Sequence, residues 1–101
     1  MENKRVELHN KLLEFLPNVY FQPPSDIRMV YPCIVYSKTE KEVEYANDIL
    51  YKEAQEYQIT VIDADPDSPV ADLILRSFQY ASPGQFFVMD NLNQTTIKLY
   101  F

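Results

Sequence analysis

Three carboxylates at alternate positions, Asp63-x-Asp65-x-Asp67, are the arrangement in this sequence that looks most like a ligand set. Their spacing resembles the start of a calcium loop. Such a loop needs a glycine at its sixth position, for a sharp turn, and a bidentate Glu at its twelfth. Counting from Asp63, those positions hold Ser68 and Ile74, so both requirements fail. A strand-to-helix turn accounts for the same residues. Ser68 is a good helix N-cap, Pro69 suits the first helical position, and Asp67 and Asp72 favour the positive end of a helix dipole.

Other chemistry has little to work with. His9 is the single histidine and Cys33 the single cysteine. A Cys/His zinc site therefore lacks ligands, and any Ser-His-Asp set would have to use His9. That residue falls among charged neighbours in the first amphipathic segment. Cys33 falls between Pro32 and Ile34 at the start of a strand, where a buried structural cysteine is the usual case. With one glycine in the chain, phosphate-cradling glycine loops are excluded. No catalytic residue, metal site or cofactor site is expected.

The elements follow from periodicity and punctuation. Leu8, Leu12 and Phe15 lie on one helical stripe, widened by Leu13 and Leu16, so the spacing predicts a helix over residues 3–16, stopped by Pro17. Residues 17–32 carry four prolines and read as an extended connection, with Val19, Tyr20 and Phe21 laying apolar groups on the core or on a neighbour. Pro32 opens a short strand at residues 33–36. Residues 38–54 have no clean period and read as a long excursion, a type of segment that is often functional. Alternation of Tyr57, Ile59 and Val61 predicts a strand over residues 55–63. Val70, Leu73, Ile74 and Phe78 predict a helix, ended by Ser82-Pro83-Gly84. Strands over residues 85–89 and 95–101 then form a hairpin through Asp90-Asn91-Leu92-Asn93-Gln94, with Ile97, Leu99 and Phe101 on one face. The expectation is one α+β domain over residues 1–101, with two helices on one face of a largely antiparallel sheet in the order α-β-β-α-β-β.

Composition bounds the partners. The chain has 101 residues, is 47% hydrophobic and contains eight Tyr and six Phe, enough for one core. Its net charge of −6 repels a free phosphate backbone. It remains compatible with the wall of a channel through which DNA slides without sticking. The single cysteine fits a reducing compartment. No run is apolar for long enough to span a bilayer, and the first residues lack the apolar block of a signal peptide. Tyr45 and Tyr51, in the irregular excursion, are the aromatic residues best placed to meet a partner.

Several runs carry a resemblance. Tyr31-Pro32-Cys33-Ile34-Val35-Tyr36, Ala46-Asn47-Asp48, Tyr57-Gln58-Ile59-Thr60-Val61-Ile62-Asp63, Asp65-Pro66-Asp67-Ser68 and Phe87-Val88-Met89-Asp90-Asn91-Leu92-Asn93 occur in one order. That order resembles the small tail-terminator or tail-completion proteins of long-tailed bacteriophages. The likeness covers most of the chain but not residues 17–24 or 38–44. It implies a virion protein, made in the bacterial cytoplasm, that forms a ring, commonly a hexamer, at the head-proximal end of the tail tube. Such a ring stops tube growth, meets the head-completion or connector proteins, and lets DNA pass through its centre without specific binding. On this reading Val43, Tyr45, Asn47, Ile49 and Tyr51 are candidate ring or tube contacts. Asp90, Asn91, Leu92 and Asn93 form a second candidate surface at the hairpin tip. A head-completion, connector or other minor tail protein is the alternative, and a small regulatory protein that binds one host protein is a further one.

Overall fold

The computed structural model describes residues 4–39 and 55–101. Among them, two helices, α1 (Lys4–Leu12) and α2 (Val70–Ser77), accompany five strands: β1 (Val19–Phe21), β2 (Cys33–Lys38), β3 (Glu56–Asp63), β4 (Ala81–Met89) and β5 (Leu92–Tyr100). The strands form one sheet in the order β1-β2-β3-β5-β4. β2, β3, β5 and β4 pair antiparallel, and β1 joins the outer side of β2 in parallel. The α+β class and the placement of both helices on one face are as expected. The mixed sheet, with a fifth strand at residues 19–21, is an addition.

Register explains the core. Ile34 pairs with Val61 and Tyr36 with Ile59, while Ile59 pairs with Ile97 and Tyr57 with Leu99. Because side chains alternate across a sheet, these seven share a face, and all are buried there with Leu8 and Leu12 of α1 and Val70 and Ile74 of α2. Full burial of a Leu- or Ile-sized side chain contributes ~1.5–3 kcal/mol, so this face carries most of the fold's stability. Phe15, Phe78 and Phe101 close one end, with ring centroids 6.4 Å and 6.0 Å apart in successive pairs.

Several boundaries differ from the sequence expectation. The α-helix ends at Leu12, not at residue 16. Beyond it, the Glu14 and Phe15 N–H groups reach back three residues, to the carbonyls of Lys11 and Leu12, the tightened geometry common at helix ends. In α2, Leu73 is exposed and the core face is Val70, Ala71, Ile74, Leu75 and Phe78. The helix is thus rotated from the expected stripe. α2 begins at Val70, and Pro69 flanks it with φ −82° and ψ −3°. Ser68 still serves the helix start, its Oγ accepting the Val70 N–H at 3.4 Å. β1 forms because the Asn18 carbonyl accepts the Ile34 N–H and the Tyr36 carbonyl accepts the Gln22 N–H, both at 2.9 Å. The connection from β1 to β2 is steadied by Tyr20, whose hydroxyl accepts the Val30 N–H at 3.1 Å. The Tyr31-Pro32 peptide bond is cis.

Candidate functional site

The β4–β5 hairpin differs most from its sequence reading. Met89 pairs with Leu92, leaving a two-residue turn in place of the expected loop. Asp90 and Asn91 have φ of 54° and 64°. Two successive positive-φ residues make the tight hairpin turn whose twist matches that of the strands, and Asp and Asn tolerate it best after glycine. Of the four residues expected at the tip, Asp90 and Asn91 are exposed there, whereas Leu92 and Asn93 belong to β5 and are half-buried. Asn93 has structural partners: its Nδ2 donates to the carbonyls of Asp63 and Ala64, at 3.1 Å and 3.2 Å, and ties the hairpin to the turn before α2.

Ser82, Pro83 and Gly84, expected to end the preceding region, lie inside β4. The ladder shifts register between Pro83 and Phe86, forming a bulge. Thr96 clamps it: its Oγ1 accepts the Gln85 N–H at 2.7 Å. A Cβ on Gly84 would collide with that Oγ1 and would lie 2.7 Å from the Thr96 carbonyl oxygen. The only glycine is thus placed where two backbones approach too closely for a side chain. Proline is tolerated because β4 is an outer strand, where a missing N–H costs no ladder bond.

Past the bulge, β4 carries four consecutive apolar residues, Phe86, Phe87, Val88 and Met89, at 59%, 37%, 60% and 56% exposure. They alternate between the two faces, yet among the described residues neither face covers them, because of β4 only Ala81 joins the core cluster. Continuous apolar runs normally mark strands buried on both sides. A run of this kind on an outer strand offers both side chains and an open backbone edge to a partner.

Acidic groups border this end of the sheet. Asp63, Asp65 and Asp67 lie on the turn that Asn93 holds, and Asp90 is at the tip. Asp63 Oδ1 accepts the Asp65 N–H at 2.8 Å, and Asp65 Oδ1 accepts the Asp67 N–H at 2.9 Å. These carboxylates shape consecutive turns. Among the described residues, no three His, Cys, Asp or Glu side chains gather as metal ligands would.

Two concavities stand out among the described residues. One, of about 650 Å³, runs between α1 and the end of α2, with Lys4, Glu7, Lys11 and Glu14 along one side and Phe15, Phe78 and Phe101 among its floor residues. The other, of about 590 Å³, lies on the sheet, lined by Gln58, Thr60, Gln94 and Thr96 with Glu56 and Lys98. There Lys98 Nζ is 3.6 Å from Glu56 Oε1, and the Tyr100 hydroxyl donates to Glu56 Oε2 at 3.3 Å.

The single histidine and the single cysteine both have structural surroundings. His9 Nδ1 is 2.7 Å from the Tyr36 hydroxyl, and partial burial and then the Arg5 charge lower its pKa from 6.5. Cys33 is fully buried, and burial pushes its thiol up to about 11, the reverse of an activated nucleophile. Val43, Tyr45, Asn47, Ile49 and Tyr51 lie outside the described residues. The exposed run at residues 86–89 is not among the contacts expected from the sequence. Its signal there is a continuous apolar stretch beside Pro83 and Gly84, the punctuation of an outer strand. Among the described residues, no helix is long and apolar enough to cross a membrane. Searches of protein families, of curated proteins and of solved structures found no match to this chain.

Proposed function

We propose that this chain is a structural assembly protein of a phage virion, forming a ring at the head-proximal end of the tail tube. The ring ends tube polymerisation and presents a surface to the head-completion or connector protein, with DNA passing through its centre. The observation that carries the assembly reading is the outer strand β4. Its four exposed apolar residues stand on a sheet edge that no further strand covers among the described residues. Association would bury this area at about 25 cal/mol per Å², part of which offsets the lost freedom of the subunits. The phage context rests on the sequence runs that resemble tail-terminator proteins, and the net charge of −6 suits a channel that must not hold DNA. The chain acts without catalytic machinery on this reading, and a terminating ring needs only one face that matches the tube and another that does not repeat it.

Electron microscopy of tails assembled without this chain tests the role. Overlong or ragged tubes are the expected result. Tails of normal length that fail to join heads would replace termination by a head-joining role. Normal, infectious particles would overturn both.

A further inference from the structure

The described surface has a second exposed apolar patch, at the opposite side of the sheet from β4. Ile27, Val30 and Tyr31, in the connection between β1 and β2, are exposed, Val30 at 58%. The pairing register relates the strand they lead into to the first patch. Cys33 pairs with Ile62, Ile62 with Gln94, and Gln94 with Phe87, so these four form one row across the sheet. Val30 and Tyr31 lead directly into the Cys33 end of that row, and residues 86–89 occupy its other end.

The surroundings of the two patches also differ in charge. Asp63, Asp65, Asp67 and Asp90 border the β4 end. Residues 22–32 contain Arg28, exposed and the only cation of that stretch, together with Asp26. A symmetric contact of β4 with a second β4 would cover one apolar patch and leave the other in water. A head-to-tail contact covers both and brings Arg28 towards the acidic border.

Resting on the assembly reading above, we propose that residues 86–89 of one copy dock on Ile27, Val30 and Tyr31 of the next copy of this chain. Such a contact is head-to-tail: one surface of a copy meets a different surface of the next. Contacts of this kind give a ring where the rotation between copies closes, as the proposed function requires, and a filament where it does not.

Cysteine cross-linking tests the pairing. Val88→Cys and Val30→Cys are both surface changes, and the native Cys33 is buried. Under mild oxidation at a concentration where the chain associates, a mixture of the two variants is expected to give a mixed disulfide, while each variant alone stays uncross-linked. Adding Arg28→Glu to the Val30→Cys variant is expected to reduce the yield, and Asp90→Arg in the Val88→Cys variant to restore it. A Val88→Cys variant that cross-links to itself overturns the head-to-tail contact but leaves self-assembly standing. So does assembly by sedimentation without any cross-link. A chain that stays monomeric, also when tail tubes are added, overturns the contact and the assembly reading together.

Discussion

Tyr36 faces two environments at once. Its ring is buried between Phe21 and Tyr57, at centroid distances of 4.9 Å and 6.1 Å. Its hydroxyl reaches the polar side of α1, where Arg5 Nη1 donates to it at 3.4 Å and His9 Nδ1 is 2.7 Å away. With Arg5 donating to the phenol oxygen, the phenol O–H is free to donate to His9 Nδ1 in the neutral tautomer that carries its proton on Nε2. Protonating His9 would replace that acceptor by a donor and add a charge beside Arg5, in keeping with its lowered pKa. The sign of the pH dependence follows. Above the unfolded value of 6.5 both states hold His9 neutral and this site adds no slope. As pH falls below it, the unfolded chain takes up the proton first, so stability declines until the lower folded value is passed. His9→Gln is therefore expected to lose less stability than the wild type on acidification from pH 6.5, in parallel denaturant titrations. Superimposable pH profiles would refute it. Tyr36→Phe is expected to cost about 1 kcal/mol through the lost hydrogen bonds.

Elements with a strong period are legible in the sequence, and those defined by their neighbours are not. β3 and β5 alternate cleanly, and both helices show apolar stripes, so their type and order follow from period alone. β1 is three residues long in a proline-rich stretch, and no period can be read from it. What makes it a strand is the adjacent edge of β2, which supplies its hydrogen bonds. β4 reads as shorter than it is because Pro83 and Gly84 are breakers in a central strand but acceptable at a bulge on an outer one. The proposed assembly surface is only hinted at in the sequence, by breakers beside an apolar run, and it is the strand order that puts residues 86–89 on an edge. Gly84 offers the test at this scale. Gly84→Ala places a methyl against Thr96 backbone and side-chain atoms, and such overpacking typically costs ~1–3 kcal/mol. A urea midpoint equal to the wild type's would mean that the bulge relaxes freely.

At the scale of the whole molecule, the core and the proposed contact surface use separate residues. The buried cluster draws on β2, β3, β5 and both helices, and from β4 takes only Ala81. Phe86 and Val88 are mostly in water, and surface substitutions away from caps, cavities and buried networks usually change stability by within about 0.5 kcal/mol. Replacing both by threonine, which keeps strand propensity, should leave the fold of the isolated chain nearly unchanged and remove its association. The two effects separate because association that involves only the native state raises apparent stability by mass action. For the wild-type chain the thermal midpoint should rise with protein concentration. For Phe86→Thr/Val88→Thr it should be independent of concentration and equal to the dilute wild-type value. A variant whose midpoint falls by several degrees even at high dilution would place these side chains in the fold's own packing, and a wild-type midpoint that does not move with concentration would remove the energetic basis for β4 as an assembly edge in the free protein.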